Sequence, residues 1–590
     1  MRTGDITIKI GGIAGAGISA TVNVLAKILK DHGYRIQTFR DIPSRIRGGH
    51  TNETVRASHL DCFSTPDYID ILIVFDRATI LRCLREVRDK GVVIIDISSV
   101  KYTEDDFRAR DDLIIYEIPA KTLALKGLGN EIYKNTVILG VLAELLDMDI
   151  EIVKNVISRT YQRKGEKIIS TNIKALDIGI KYAKENIEKK DDYKVIKKEF
   201  REETILITGN EAIAMGAIAA GCRFMSGYPI TPATQILEFM IRHLPKYGGV
   251  AVQTEDEIAA INYAIGAAIA GARAMTATSG PGFSLMTEAV SLAGMAEVPL
   301  VIVNSNRAGP STGMATKTEQ SDLLFTIFQG HGDFPKIVLA PSTNEEAFYM
   351  TAEAFNIAEK CQCPVIILVD EFISHGYQTA KKFDFSRIKI DRGELYIDGD
   401  IRDDMCRDGL FLRYKITDTG ISPRTMPKKG NKPFLTATLE HDEHGWPTED
   451  PIVRVSMMNK RLRKIKALMP ELMNKFGPEI IGDDDSRIGI ISYGSTKYVI
   501  SEAMKKLIIE KNITTKYLRL RMLWPLPEKE IREFVNNADK IFIVEMNATA
   551  QLEKLIRIAT GPSDKFVNIL KYDGRMFSPS EVYKRIEEEL

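Results

Sequence analysis

The sequence predicts an α/β protein made of several domains, each built around a parallel sheet. Short apolar runs rich in Val and Ile alternate with longer segments of helical periodicity, first up to residue 165 and again from residue 204. Runs that are apolar throughout are typical of strands buried on both faces of a parallel sheet. A chain of 590 residues is also too long for one hydrophobic core, which favours roughly three or four domains.

The pattern divides the chain into five predicted segments. Residues 1–165 form a first α/β domain, and residues 166–203 form a charged, partly helical connector. A second α/β domain covers residues 204–380. The polar residues 381–485 are too many for a simple loop and indicate a lid or insert. A third α/β domain covers residues 486–590.

Strands and helices are predicted within these segments from the apolar runs and their flanking turns. The first domain has expected helices at 21–30 and 79–90. The expected strands are 6–10, 35–39, 71–75, 92–95 and 113–116 in the first domain, 204–207, 250–253, 274–278, 300–304, 336–339 and 365–369 in the second, and 488–492, 517–520, 541–544 and 567–570 in the third.

Composition limits the function classes. The 80 basic and 80 acidic side chains balance, so the chain has no net field that would attract nucleic acid or an anionic membrane. Its longest apolar stretch, residues 258–272, is shorter than the roughly 18–20 residues of a membrane span. No secretory signal is visible, and six dispersed cysteines form no disulfide framework or ligand set. We therefore expect a cytoplasmic protein with no metal site of its own.

A glycine loop follows the first predicted strand. Residues 15–20 (GAGISA) fit the G-x-G-x-x-A form of the dinucleotide fingerprint, in which Gly15 and Gly17 let the backbone approach a pyrophosphate. A second, cationic loop at the same sheet edge contains Arg47, Gly48 and Gly49. Two such loops suit coenzyme A as well as NAD, and they also suit a tight turn that binds nothing.

Four motifs in the second domain follow predicted strands, at the sheet edge where open α/β folds bind ligands. They are YPITP at 228–232, EDEIAA at 255–260, TATSGPGF at 276–283 and NRAGPSTG at 306–313. Thr231 is the expected N-cap of the next helix, although its hydroxyl could face a carboxylate. Glu257 joins an apolar run, and burial there would raise its pKa. Arg307 carries a guanidinium fork that grips carboxylates.

Residues 440–444 (EHDEH) form a cluster that could pass for a metal site. They lie in a polar stretch without helical periodicity to aim the ligands, beside Gly445 and Pro447. An exposed turn is the favoured interpretation.

Together these motifs resemble the α subunit of 2-oxoacid:ferredoxin oxidoreductases, with the γ domain of that family fused at the N-terminus. Further matches are RGGH at 47–50, GISPR at 420–424, EHDE at 440–443, VEMN at 544–547 and QL at 551–552, so the resemblance covers essentially the whole chain. The chain departs from the family pattern at 313–318, which bears on substrate range, and at Ala550, which bears on a local turn.

The resemblance implies a Rossmann-like γ domain, a thiamine diphosphate pyrimidine-side domain and a transketolase C-terminal-like domain. It implies that Glu257 activates thiamine diphosphate and that Thr231 and Arg307 contact the substrate. The residues expected to bind a cofactor are Tyr228, Pro229, Glu257, Thr278, Ser279 and Gly280 for thiamine diphosphate, and Gly15, Gly17, Arg47, Gly48 and Gly49 as candidates for coenzyme A.

The implied reaction is the coenzyme A-dependent oxidative decarboxylation of a 2-oxoacid, either 2-oxoglutarate or a broad range, with electrons passing to ferredoxin. The sequence contains no GDG…N magnesium–pyrophosphate motif and no ferredoxin-type cysteine set. A β subunit is therefore expected to supply Mg²⁺ and a [4Fe-4S] cluster in an αβ or (αβ)₂ complex. Two alternatives remain open: an NAD-dependent Rossmann oxidoreductase, and a non-catalytic scaffold that binds coenzyme A or a partner.

Overall fold

The computed structural model describes residues 4–43, 48–61, 63–199 and 202–590. In chain order the strands are β1 Asp5–Ile13, β2 Arg35–Asp41, β3 His50–Ser58, β4 Ile69–Val74, β5 Val87–Asp96, β6 Ile114–Ile118, β7 Thr204–Thr208, β8 Cys222–Gly227, β9 Val250–Gln253, β10 Arg273–Thr278, β11 Leu300–Asn306, β12 Ile337–Leu339, β13 Pro364–Asp370, β14 Tyr377–Lys381, β15 Cys406–Arg407, β16 Leu410–Phe411, β17 Glu479–Gly482, β18 Ile488–Tyr493, β19 Lys516–Leu520, β20 Met522–Trp524, β21 Lys540–Glu545 and β22 Phe566–Leu570.

The helices lie between these strands and at their ends. In chain order they are α1 Ile18–Asp31, α2 Arg77–Cys83, α3 Ala120–Leu128, α4 Lys134–Leu145, α5 Ile150–Tyr161, α6 Glu166–Asn186, α7 Gly209–Ala219, α8 Thr234–His243, α9 Glu257–Ile269, α10 Gly280–Leu285, α11 Thr287–Met295, α12 Leu323–Phe328, α13 Asn344–Cys361, α14 Glu371–His375, α15 Pro451–Phe476, α16 Lys497–Lys511, α17 Glu528–Asn536, α18 Gln551–Thr560 and α19 Pro579–Glu589. Of the helices described, none has the length and apolarity that crossing a bilayer requires.

The described residues form two compact units. The first runs to Ile207 and includes Gly376–Lys382 and Ser578–Glu581. The second contains Thr208–His375, Phe383–Phe577 and Val582–Leu590. The α/β fold class expected from the sequence is confirmed, because helices alternate with parallel strands in both units: β1, β4, β5 and β6 are parallel in the first, and β8 to β13 are parallel in the second. The division into five segments remains a prediction.

The sheet of the first unit has the order β6-β5-β4-β1-β3-β2-β14-β7. Strand β4 pairs in parallel with β1, β5 with β4, and β6 with β5. Strand β3 is antiparallel to both β1 and β2. The sequence analysis missed β3 because HTNETVRAS contains no apolar run, although eight of its nine residues are buried. Its buried polar side chains form hydrogen bonds and ion pairs; for example, Arg56 donates to Asp5 Oδ2 at 2.8 Å.

The helix predicted at 79–90 is wrong over its second half. Helix α2 begins after Asp76, whose side chain accepts from the backbone N–H of Thr79, and it ends at Cys83. Strand β5 then begins at Val87, where it pairs with Ile69 of β4. The pairing available on the sheet edge overrides the local helical pattern.

The helix of the predicted connector packs tightly on the first unit. Glycines stand where α6 crosses α4: a Cβ on Gly179 would lie 2.0 Å from the carbonyl oxygen of Val137, and one on Gly140 would lie 2.2 Å from that of Leu176. Backbones can approach this closely only where side chains are absent. The lysines of α6, such as Lys181, stay on its exposed face.

The second unit contains two larger sheets. In the order β20-β12-β13-β11-β10-β8-β9, the strands β8 to β13 run parallel and β20 forms an antiparallel edge. The other sheet has the order β17-β19-β18-β21-β22, in which β17 is antiparallel to β19. Strand β20 lies after β19 in the chain but pairs with β12, so the C-terminal segment contributes to both sheets.

Buried ion pairs anchor the segment predicted as a lid or insert. Lys460 of α15 donates to Glu297 Oε1 at 2.7 Å, and Lys464 forms an ion pair with the same carboxylate. All three side chains are fully buried. Burial by itself would raise the pKa of Glu297, but the two lysines and Arg413 lower it well below its usual range. Burial lowers the pKa of Lys460 to about 7.

A substitution at Gly179 tests the α4–α6 contact. We expect Gly179→Ala to lower the free energy of unfolding by about 1–3 kcal/mol, because the new methyl group must displace a backbone carbonyl. Lys181→Ala on the exposed face of the same helix is the control and should change it by less than about 0.5 kcal/mol. Chemical denaturation measures the free energy of unfolding of both variants. Equal values for the two would contradict the tight contact.

Candidate active site

The four motifs of the second unit meet at one sheet edge. Strand β8 pairs in parallel with β9 and β10, and β10 pairs in parallel with β11. Their carboxyl ends are therefore neighbours, and the motif loops follow directly from them. This convergence was expected from the sequence: Thr231 and Arg307 lie on the loops, Thr278 is the last residue of β10, and Glu257 is the first residue of α9.

Glu257 is the buried acid of this edge. It is the first residue of α9, and the preceding Asp256 caps the helix by accepting from the backbone N–H of Ala259 at 2.8 Å. Its side chain turns inward, so that Glu257 is only 5% exposed. Burial raises the pKa of the Glu257 carboxyl, and the negative charge of Asp256 raises it further. The carboxyl group therefore holds a proton more readily than an exposed glutamate does.

Gly282 fixes the position of that carboxyl group. A Cβ at Gly282 would lie 2.3 Å from Glu257 Oε1 and 2.2 Å from Thr278 Oγ1. Only glycine allows the turn of the TATSGPGF motif to approach Glu257 so closely. The TATSGPGF motif could be recognised in the sequence, but the role of Gly282 could not, because the sequence does not show which side chain approaches it.

The same turn contacts a second, partly buried acid that was not predicted from the sequence. A Cβ at Gly280 would lie 2.6 Å from Asp322 Oδ2. Asp322 precedes α12 and accepts from Asn304 Nδ2 at 3.5 Å. Burial raises the pKa of Asp322 to about 6. Its position in the sequence, beyond the four motifs, gave no sign that it would reach them.

Arg307 contacts Thr231 through the backbone carbonyl group of Thr231 and not through its hydroxyl group. Arg307 Nη1 donates to the backbone carbonyl oxygen of Thr231 at 2.8 Å. The prediction that Thr231 caps the next helix is wrong, because α8 begins at Thr234 with Ala233 at the N-cap. Burial lowers the pKa of the Arg307 guanidinium, and the charge of Asp322 opposes that shift.

Several buried polar atoms along this edge have no hydrogen-bond partner among the described residues. They are Thr276 Oγ1, Ser279 Oγ, Arg307 Nε, and the side-chain amide oxygen and nitrogen of Asn306. Leaving such groups unpaired costs roughly 1–3 kcal/mol each. Their concentration beside Glu257 therefore points to a ligand that supplies the missing partners. Tyr228 lies at the rim and is 41% exposed.

The glycine loops of the first unit lie side by side. The backbone N–H of Ala14 donates to the carbonyl oxygen of Gly49 at 2.9 Å, which joins the loop of Gly15 and Gly17 to that of Gly48. All four glycines have positive φ. Arg47, the cation expected here, lies outside the described residues.

The topology around these loops does not favour a dinucleotide. The fingerprint requires β2 beside β1, so that an acid at the end of β2 reaches the ribose. Here β3 lies between the two strands. The carboxylate of Asp41 at the end of β2 accepts instead from Asn52 Nδ2 at 3.1 Å. The NAD alternative therefore lacks its structural context.

The EHDEH segment is a partly buried turn in which both histidines are buried, so the expected exposed turn is wrong. His441 is fully buried against Tyr414, with their ring centroids 3.9 Å apart, and its Nδ1 lies 2.8 Å from the carbonyl oxygen of Leu439. Glu440 accepts from both Nη atoms of Arg461 at 2.7–3.0 Å. In the described ranges no three His, Cys, Asp or Glu side chains converge as a metal site requires.

Three family models match consecutive parts of the chain. The model for pyruvate ferredoxin/flavodoxin oxidoreductase matches residues 7–182. The thiamine diphosphate-binding model for pyruvate flavodoxin/ferredoxin oxidoreductase matches residues 215–460, which contain the site described above. The model for core domain II of pyruvate:ferredoxin oxidoreductase matches residues 487–582.

Individual relatives agree with these models. The α subunit of 2-oxoacid:ferredoxin oxidoreductase 2 of Aeropyrum pernix is 33% identical over 98% of this chain and 96% of its own length. The 2-oxoglutarate synthase subunit KorA of Methanothermobacter thermautotrophicus is 38% identical over 65% of this chain and 98% of its own. A solved 2-oxoglutarate:ferredoxin oxidoreductase from Magnetococcus marinus, with 2-oxoglutarate, coenzyme A and succinyl-CoA bound, superposes with a TM-score of 0.91 at 33% identity over 99% of both chains.

The contact between Gly282 and Glu257 can be tested by substitution. We expect Gly282→Ala to lower the free energy of unfolding by about 1–3 kcal/mol, because the added methyl group must displace the Glu257 carboxyl and Thr278. Gly266→Ala on α9 is the control: a Cβ there meets nothing within 4 Å. It should be neutral or stabilise the helix by about 0.5–1 kcal/mol. Thermal and chemical denaturation measure the stability of both variants. An equal loss of stability in the two variants would contradict the contact.

Proposed function

This chain belongs to the family of 2-oxoacid:ferredoxin oxidoreductase α subunits, and on that premise we propose that, with a β subunit, it decarboxylates a 2-oxoacid oxidatively to acyl-CoA and carbon dioxide, with ferredoxin as the electron acceptor. The observation that carries the proposal is the buried Glu257 carboxyl held against Gly282 at the sheet edge that also carries Arg307. The preferred substrate is 2-oxoglutarate or a broad range of 2-oxoacids, a choice supported by the ligands of the Magnetococcus enzyme.

The residues of this edge fit thiamine diphosphate. Tyr228, Pro229, Thr278, Ser279 and Gly280 would surround it together with Glu257, and the unpaired hydroxyl of Ser279 offers a hydrogen bond. When bound, this cofactor supplies the electron sink that lets a 2-oxoacid lose carbon dioxide. Glu257 holds and shares a proton at its carboxyl group, which its raised pKa favours.

Arg307 is proposed to bind the carboxylate of the 2-oxoacid. Its Nη1 is committed to the Thr231 carbonyl, which fixes the plane of the guanidinium, whereas its buried Nε has no partner among the described residues. A buried, oriented guanidinium binds a carboxylate more strongly than an exposed one. Thr231 then contributes by orienting Arg307 and by lining the substrate position.

Coenzyme A is proposed to bind at the glycine loops of the first unit. Gly15, Gly17, Gly48 and Gly49 have positive φ and carry no Cβ, which allows a phosphate group to approach the backbone N–H groups of these loops closely. A Cβ on Gly15 or Gly48 would meet nothing within 4 Å, so space is available above both loops.

A β subunit is proposed to complete the site in an αβ or (αβ)₂ complex and to supply Mg²⁺ and the [4Fe-4S] cluster. Apolar side chains around Glu257 are exposed: Ile258 by 49%, Tyr263 by 53% and Leu285 by 51%. Grouped apolar exposure beside a buried acid is typical of a surface that a partner covers. Ferredoxin is the proposed electron acceptor, and the proposed location is the cytoplasm.

Glu257→Gln tests the role of the acid. With the partner present, we expect 2-oxoacid-dependent viologen reduction to fall by about 10²–10⁴-fold, because an amide of the same size cannot hold and release the proton. Glu255→Gln, an exposed neighbour, is the matched control and should keep full activity. Activity of Glu257→Gln within twofold of the wild type would refute the proposed role and favour a scaffold.

Arg307→Lys tests the substrate contact. We expect kcat/KM for 2-oxoacids to fall by roughly 10–100-fold, mainly through KM, because lysine cannot replace the two-pronged guanidinium contact. Arg242→Lys on the exposed face of α8 serves as the control. An unchanged KM would show that another group binds the carboxylate.

A further inference from the structure

A cleft of about 510 Å³ lies within the second unit and shares no residue with the candidate active site. Its walls are α13, the start of α16, the end of α15, residues 387–389 and Arg521, which follows β19. This volume is within the range of about 300–1,000 Å³ that is typical of small-molecule sites. Nothing in the proposed reaction uses this cleft.

The lining of the cleft has an excess of positive charge. Five cations face it, against three carboxylates. The cations are Arg387, Lys389, Lys475, Lys497 and Arg521. The excess of two charges is confined to a small, partly enclosed space, where it is screened less than on an open surface.

The carboxylates of the cleft already have partners. Glu346 accepts from Arg519 Nη1 at 2.7 Å and from the backbone N–H of Ser342 at 2.8 Å. Glu353 forms an ion pair with Lys475. Glu345 also has an interaction partner. Lys475 is therefore compensated by Glu353 and also by Glu471, which lies 2.9 Å from its Nζ.

Three cations remain with little or no compensation among the described residues. The buried Nε of Arg521 has no hydrogen-bond partner, and Lys389 forms no ion pair. Lys497 approaches Glu346 only to 4.0 Å. Burial lowers the pKa of Lys497, and the positive charge of Arg519 lowers it further. An anion placed here would be attracted by all three groups.

The cleft also offers aromatic surface. Tyr349 and Tyr498 line it, and the guanidinium of Arg387 stands 4.4 Å from the centroid of the Tyr349 ring. Met350 and Ile388 add apolar contact. A phosphate group alone would use the cations but neither the rings nor most of the volume. We propose that this cleft binds a small phosphorylated molecule that carries an aromatic ring, of the nucleoside phosphate class.

The test is calorimetric titration of the purified chain with ADP, with adenosine and pyrophosphate as partial probes. ADP should bind at least tenfold more tightly than either partial probe. Arg387→Gln with Lys389→Gln should weaken ADP binding at least tenfold, and both residues are exposed, so the double variant should fold. Arg521→Gln should weaken it to a similar extent. Lys505→Gln on the exposed face of α16 is the matched control and should leave the affinity unchanged.

A second titration separates this cleft from any coenzyme A site. Coenzyme A itself carries an adenosine group and phosphates, so it is titrated against ADP in the wild type and in the cleft variants. ADP binding that the cleft variants weaken belongs to the cleft, whereas ADP binding that coenzyme A displaces and the cleft variants leave unchanged belongs to a coenzyme A site. That second result would overturn the proposal, and so would the absence of ADP binding. None of these measurements depends on turnover, so the inference can fail while the proposed function stands, and the reverse is also true.

Discussion

The close contact between the Glu257 carboxyl and Gly282 is the constraint on which the candidate site depends. It requires a helix that begins at Glu257, which the Asp256 cap provides, and a turn after β10 that carries no side chain at position 282. It also removes the carboxyl from water, and this raises its pKa. The close contact therefore accounts both for the glycine at position 282 and for the raised pKa of the carboxyl.

Opposite electrostatic shifts meet at the same sheet edge. Burial raises the pKa of Glu257 and of Asp322, the latter to about 6, and it lowers the pKa of Arg307. Buried groups whose charged forms are disfavoured lose that penalty when a ligand of opposite charge or suitable hydrogen bonding arrives. A proton-sharing acid and a cation suited to a carboxylate thus stand where a 2-oxoacid and its cofactor need them.

Much of this edge could be predicted because buried parallel strands appear in the sequence as apolar runs. Once the strands that became β9, β10 and β11 were predicted, the EDEIAA, TATSGPGF and NRAGPSTG motifs were expected at their carboxyl ends, at the same sheet edge as YPITP. Strand β3 was not predicted because its side chains are largely polar, and several of them pair with residues of neighbouring elements, such as Arg56 with Asp5 and Asn52 with Asp41. Contacts between distant loops also escaped: no local pattern shows that Asp322 reaches Gly280, or that Thr231 offers its carbonyl oxygen rather than its hydroxyl group to Arg307. The burial of His441 was not predicted because its neighbours in the sequence are polar, whereas in the structure its ring packs against Tyr414.

The central claim is that burial raises the pKa of the Glu257 carboxyl, and infrared difference spectroscopy measures this directly. Spectra of the wild-type chain would be recorded across a pH series, and those of the Glu257→Gln variant subtracted, so that the carboxyl band of Glu257 is isolated from those of other buried acids. We predict a protonated carboxyl band that persists well above the ordinary glutamate pKa of about 4.3. A band that disappears at or below that value would contradict the account.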